Sequence, residues 1–261
     1  MKHLKSSLAD MRTLFSRSVT SRHLAEPLVS FDSTSDAQTV RAFMERRDFD
    51  VVGVRVDGTA NGFVMREELG SGSLAPWRRD FDEARDVVQE HDTITTLFER
   101  LADQPNVFVR MMGQVSGIVT KGDLQKAPAR MWLFGLLSLL EMHFLRIIRA
   151  RYADAAWIEK LSESRVEKAN ELLAQRAERN EAIDLADCLQ FADKARVVAA
   201  THDLHSSLGF SSRRDADRLF NELKALRDQL AHSNDIVSGN WPRLAGLARD
   251  AESLLEACER L

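Results

Sequence analysis

The 261-residue sequence is poor in cysteine, carries no surplus of positive charge and has no uninterrupted apolar run of membrane-spanning length. Each shortage excludes something. Two cysteines, Cys188 and Cys258, cannot build a disulfide framework and lack metal-ligand spacing, so they read as small buried apolar side chains in a reducing cytoplasm. Lysine and arginine number 36 against 40 aspartates and glutamates, for a net charge of -4. That balance excludes a protein held on nucleic acid by bulk charge, though it leaves room for a local basic groove. The first ten residues mix charges and serines with no apolar segment after them, so no signal peptide is expected. The most apolar stretch, 131–140, is soon interrupted by Glu141, His143 and Arg146. A spanning helix needs about 20 nearly uninterrupted apolar residues, so the stretch reads as a buried helix in a core or a dimer interface, with no membrane partner. A hydrophobic share of 44% beside a charged share of 29% fits a folded chain rather than a disordered one.

The chain changes character near residue 128. Before it, short helical and extended segments alternate. The spacing of Val40, Phe43 and Met44 predicts a helix over 37–46. Val51-Val52-Gly53-Val54-Arg55-Val56 reads as a strand, Asp57-Gly58 as a hairpin turn, Gly62-Phe63-Val64-Met65 as the returning strand, and Glu67-Glu68-Leu69 as a helix start. The order then repeats: helix over 93–101, strand at Val107-Phe108-Val109-Arg110, turn at Met112-Gly113-Gln114, strand at 115–120, and a helix start at Lys121-Gly122-Asp123-Leu124. This is an internal repeat of about 55 residues. Residues 77–80 read as linker between the copies.

From Pro128 onward extended runs vanish and glycine nearly disappears from the segment interiors. Helices are expected over 129–152 and about 162–180, 183–204, 211–231 and 242–260, with Leu219, Leu223, Leu226 and Leu230 as the clearest apolar stripe. Ser211-Ser212 and Asn240-Trp241-Pro242 supply start signals. The expected organisation is a helical extension over 1–23, a paired α+β region over 24–127 (copies at about 24–72 and 84–127), and an all-α bundle over 128–261.

The segment Gly117-Ile118-Val119-Thr120-Lys121-Gly122-Asp123-Leu124 resembles the second half of a CBS domain, and Gly-Phe-Val-Met-Arg-Glu-Glu-Leu at 62–69 is similar to a degenerate copy of it. The resemblance implies a tandem CBS pair, the Bateman module, over roughly 24–127. It further implies a regulatory adenine nucleotide as effector, with Gly117, Thr120 and Asp123 at the site: the hydroxyl on phosphate, the carboxylate on the ribose diol. A carboxylate suits a diol because it accepts two hydrogen bonds. In the first copy Met65 and Glu68 replace the hydroxyl and the aspartate, so one working cleft, or none, is expected. The plainer alternative is a dimerisation scaffold that binds nothing.

Leu226-Arg227-Asp228-Gln229-Leu230-Ala231-His232-Ser233-Asn234-Asp235 closes the expected helix over 211–231. Arginine and histidine at such spacing recur by chance, as at Arg17 and His23, Arg85 and His91, and Arg196 and His202. What sets Arg227 and His232 apart is their place at the end of a long amphipathic helix, followed by a helix-stop sequence. The segment resembles the active-site motif of the HEPN superfamily, whose members are small all-helical domains. That resemblance implies a metal-independent endoribonuclease needing no cofactor, with RNA as substrate and a composite site in a homodimer, as in bacterial stress or defence systems. Histidine has the ordinary pKa suited to moving the 2′-hydroxyl proton, and a permanently charged guanidinium suits the phosphorane oxygens. Residues five apart on an ideal helix lie about 140° apart around its axis, so convergence calls for two copies across a two-fold axis. Asp228 and Asn234 take supporting roles by the same resemblance. The plainer readings are a helix-end contact for His232 and a salt bridge to Glu222 or Asp228 for Arg227.

Other features carry less. His202 and His205 are too few for a metal site and read as a solvated helix end, and no metal is expected. Arg146, Arg149 and Arg151, with Arg213, Arg214 and Arg218, could line an RNA path or simply form a charged face. Asp123 stands just ahead of the helix expected at Pro128, which suggests that nucleotide occupancy tunes the C-terminal site. The alternative function is a non-catalytic nucleotide-sensing regulator or adaptor that binds RNA or a protein partner.

Overall fold

The computed structural model describes residues 7–237 and 241–261. The chain divides into two compact units, one of residues 14–129 and one of residues 130–261 with the described residues before Leu14. Helix α1 (Leu8–Ser18) accordingly does not stand alone as an extension. Its Leu8 N–H donates to Glu259, and Arg12 pairs with Glu252 and Glu256.

Within 14–129 the order is β1 (Glu26–Pro27), β2 (Ser30–Asp32), α2 (Ala37–Arg47), β3 (Val51–Val56), β4 (Thr59–Met65), β5 (Arg79–Asp80), β6 (Val87–Gln89), α3 (Ile94–Asp103), β7 (Asn106–Met111) and β8 (Gln114–Thr120). Two four-stranded sheets result, β2-β3-β4-β5 and β1-β8-β7-β6. Each copy supplies one parallel pair and one antiparallel hairpin, and each lends a two-residue leading strand to the other's sheet. The stretch read as linker therefore contains β5. The copies match in detail: the hairpin register shifts at Val54/Arg55 in one and at Val109/Arg110 in the other. Both turns carry two residues at positive φ, Asp57 and Gly58, then Met112 and Gly113, the backbone that twists a two-residue hairpin correctly.

Asp36 caps α2 by accepting from the Thr39 N–H at 2.8 Å, and Asp48 ends it in the left-handed conformation. Val40 and Met44 of α2 pack on Val52, Val54 and Val64, with Leu69 and Leu74 closing the core. Phe63, Phe81 and Phe108 form a second cluster with centroids 4.7–5.8 Å apart, joining β4 to β7. The helix starts expected after β4 and β8 are only 3₁₀ turns, Arg66–Glu68 and Lys121–Gln125. In the first, Leu69 turns extended to bury its side chain and Gly70-Ser71-Gly72-Ser73 cannot propagate a helix.

The helices that follow are α4 (Ala127–Arg151), α5 (Glu163–Ala177), α6 (Phe191–Ala200), α7 (His202–Ser207), α8 (Arg213–Ala231) and α9 (Trp241–Arg260). The helix expected over 183–204 is three pieces. A 3₁₀ turn (Leu185–Cys188) is capped by Asp184, Gln190 and Asp193 restart the chain with a capping box, and the Thr201 hydroxyl bonds back to the Val197 carbonyl where α6 stops. Ser212 caps α8 as its position suggests, while Asn240 lies outside the described residues. The buried face of α8 is Ala216, Phe220, Leu223, Leu226 and Leu230, with Leu219 only half-buried at its edge. Phe144 of α4 meets Phe191 and Phe220 with centroids 6.0 and 5.0 Å away.

At 25 residues α4 is, by length and composition, long and apolar enough to cross a membrane, which corrects the shorter run read from the sequence; 56% of its most apolar window is buried. Its polar interruptions are used inside the bundle. Glu141 accepts from the buried Lys194 ammonium at 2.8 Å, and His143 Nδ1 lies 3.3 Å from Arg146. Burial pushes the Cys258 thiol up to about 12 and raises Cys188 as well, so neither is a thiolate nucleophile near neutral pH.

Candidate functional site

Thr120 closes β8 and opens the turn over Lys121–Gln125. Asp123 Oδ2 accepts from the Thr120 backbone N–H at 2.7 Å and from its hydroxyl at 2.9 Å. The Lys126 ammonium donates to the Leu24 carbonyl at 2.6 Å and lies 2.5 Å from Glu26 Oε1 and 3.0 Å from Asp123 Oδ1. Burial works against that charge, but the bonds to Glu26 and Asp123 outweigh it and hold the Lys126 pKa above the ordinary lysine value. This one ammonium ties the segment entering β1 to the turn that presents Asp123.

Thr120 and Asp123 border a cleft of about 940 Å³ to which both copies contribute. Its apolar wall includes Leu28, Phe49, Val51, Met65 and Ile118. Met65 and Arg66 line it from the first copy, where Arg66 is engaged by Asp50 at 2.6 Å and Asp48 at 3.4 Å. Glu68, the first copy's counterpart of Asp123, pairs instead with Arg79. Gly117 is not part of the lining. It is buried in β8, where an added Cβ would stand 2.9 Å from the Met111 side chain and 3.1 Å from that of Val109. Gly117 allows close packing of β8 at this point. Glu26 and Lys126 were missed by motif reading, because only the strand exchange brings β1 beside β8.

At the other end of the chain, α8 stops in a Schellman motif. Ser233 takes φ 56°, its N–H donates to the Leu230 carbonyl, and the Asn234 N–H donates to that of Gln229. His232 and Asn234 are exposed, Arg227 is half-buried, and Arg227 Nη1 lies 3.4 Å from Asp228 Oδ1. Lys224, at 2.7 Å, is the main reason the Asp228 carboxyl sits below its ordinary range; burial opposes it, and Arg227 adds a lesser lowering. Arg227 and His232 of one chain share no hydrogen bond among the described residues. Sequence reading overlooked Arg130. Its guanidinium donates to the carbonyls of Asn234 at 2.8 Å and of Gln229 and Leu230 at 3.2 Å, covering the last acceptors of α8. An arginine opening an otherwise apolar helix was the available signal.

The arginines considered for an RNA path are largely engaged. Arg149 pairs with Asp184 and Asp187, Arg151 with Asp203, Arg213 with Asp217 and Arg218 with Asp215, while Arg146 donates to the Cys258 carbonyl. His205 is buried, with Nδ1 2.9 Å from the Ala199 carbonyl, so the pair with His202 is not the solvated helix end expected. Among the described residues no three histidine, cysteine, aspartate or glutamate side chains group as metal ligands.

No family model matches the chain, and no curated protein matches it. Part of the chain is similar to solved CBS-domain structures. The complex of CBSX2 with AMP is 14% identical with a TM-score of 0.38, over 43% of this chain and 97% of that one. The CBS domains of a transcriptional regulator from Streptococcus pneumoniae are 17% identical with a TM-score of 0.36, over 41% and 97%. The CBS domain of a bacterial CNNM/CorC family Mg2+ transporter in complex with ATP is 16% identical with a TM-score of 0.36, over 43% and 88%.

Proposed function

We propose that residues 14–129 form a tandem CBS module that senses an adenosine-type ligand in the cleft bordered by Thr120 and Asp123. One observation carries this reading: a carboxylate held by the Thr120 N–H and hydroxyl edges a cleft that also has an apolar lining. The lining suits a purine face, the carboxylate a ribose diol. The exchanged leading strands and matched hairpins support the pairing of two copies. Calorimetric titration with adenosine and S-adenosylmethionine tests it: saturable binding to the wild type and none to Asp123→Ala is the expected result. Coincident melting curves with and without these ligands would return the module to a scaffold role.

A second reading concerns the C-terminal bundle, as a HEPN-like domain acting in a homodimer as a metal-independent endoribonuclease in the cytoplasm. The exposed His232 on a helix end held by Arg130 supports it. In this reading His232 takes the 2′-hydroxyl proton, Arg227 steadies the phosphorane oxygens, Asp228 orients Arg227 and Asn234 touches substrate. The test is incubation with mixed RNA in EDTA, followed by end-group analysis for a 2′,3′-cyclic phosphate. His232→Ala should abolish the product. If the wild type yields none, the bundle is a non-catalytic adaptor that passes the nucleotide signal to RNA or a protein partner.

A further inference from the structure

The charges of the cleft constrain its ligand more tightly than its shape does. Five carboxylates line it, those of Glu26, Asp48, Asp50, Glu67 and Asp123, against the cations of Arg66 and Lys121. Arg66 already serves Asp48 and Asp50. Lys126 adds a third cation behind the wall, but its charge is shared between Glu26 and Asp123. Glu67 has no ion-pair partner among the described residues. A helix dipole gives phosphate little help beside Thr120. The turn over Lys121–Gln125 has five residues, too short for an appreciable helix dipole, and the Thr120 N–H at its start is held by Asp123. A polyphosphate would bring three or four negative charges into a space where carboxylates outnumber cations.

We infer that this cleft selects adenosine derivatives that are neutral or cationic at the 5′ position and rejects polyphosphates. The inference rests on the reading of the cleft as an adenosine site and specifies the ligand's charge class. Like charges a few ångströms apart in a partly desolvated cleft repel strongly enough to change affinity by about tenfold or more. Because Asp48 and Asp50 are largely exposed, part of that repulsion is open to screening by salt.

The experiment titrates the full chain calorimetrically, in low-salt buffer with EDTA, against adenosine, AMP, ATP and S-adenosylmethionine, whose sulfonium carries a positive charge. Adenosine and S-adenosylmethionine are expected to bind, with ATP weaker by about tenfold or more. The gap should narrow about threefold in Glu67→Gln and again at high salt. ATP binding within tenfold of adenosine, or tighter, overturns the charge inference and leaves the adenosine site standing. Binding of none of the four overturns the site itself.

Discussion

Asp123 divides its carboxylate between two tasks: Oδ2 takes the Thr120 N–H and hydroxyl at 2.7 and 2.9 Å, and Oδ1 faces the Lys126 ammonium at 3.0 Å. The group is therefore oriented before any ligand arrives, and a residue proposed for binding is also a structural cap. Removing it should cost both functions. Asp123→Asn keeps the shape but loses the charge facing Lys126. It should lower stability by about 1 kcal/mol, the usual value of a cap, and abolish adenosine binding. Thr120→Val removes only the hydroxyl donor and should cost less of each. Melting curves and titrations on both variants check the order.

The repeat and its hairpins were legible because they rest on local chemistry: β-branched runs, positive-φ turn residues and a shared spacing. The helical half was legible for a similar reason, since α8 announces itself by its apolar stripe and Ser212 cap. What sequence reading missed is non-local. The two-residue strands β1 and β5 have no periodicity to detect, and they pair across copies rather than within one. Glu26 and Lys126 therefore could not be assigned to the cleft region, nor Arg130 to the end of α8, because each partner lies about 100 residues away. One break that local signals carry is the restart at Gln190, whose side chain and that of Asp193 form the capping box.

Met112 stands at φ 50° with 94% of its surface exposed, in the turn position that Asp57 fills in the other copy. A flexible apolar side chain gains nothing there, and the left-handed conformation suits asparagine or aspartate far better. Met112→Asn should stabilise the protein by about 0.5–1 kcal/mol, seen as a higher denaturant midpoint with an unchanged slope. A lower midpoint would mean that Met112 makes a contact worth more than the backbone strain.

Arg130 covers three carbonyls at the end of α8, so its loss should loosen the segment bearing His232 before it unfolds the bundle. Arg130→Gln retains a donor without the fork or the charge and should cost about 1 kcal/mol. Amide exchange should quicken at Ser233 and Asn234, whose N–H groups close the Schellman motif, while Leu223 and Leu226 stay protected. Uniform quickening along α8 would show that Arg130 supports the whole helix instead.

Acid should weaken the helical unit through carboxylates whose pKa values fall on folding. For Asp184, burial pushes upward, but Arg149 and the backbone N–H groups of Ala186 and Asp187 outweigh it, so the folded value lies below the ordinary one. Asp203 is lowered chiefly by its bond to Arg151. A lowered folded pKa gives stability that is fully present above the unfolded carboxylate value near pH 4 and is lost as pH falls through the folded one. Melting temperature should thus be flat from about pH 7 to 5 and fall below about pH 4. Asp184→Asn should melt lower at pH 7 and lose less on acidification.

Among the described residues of the helical unit, Lys194 and Glu141 form the most enclosed ion pair, 2.8 Å apart with side-chain exposures of 7% and 23%. The imbalance in burial sets the sign of a double-mutant cycle. Removing Glu141 strands an ammonium that cannot reach water, at a cost of about 3–5 kcal/mol. Removing Lys194 leaves a carboxylate that can still hydrate at the surface, so Lys194→Met should cost distinctly less than Glu141→Leu. The double variant replaces charge with apolar contact between α4 and α6 and should return to within about 1 kcal/mol of the wild type. Urea midpoints of the four proteins decide it. If the two losses simply add, the pair contributes no coupling, and the charge on Lys194 must be satisfied by groups other than Glu141.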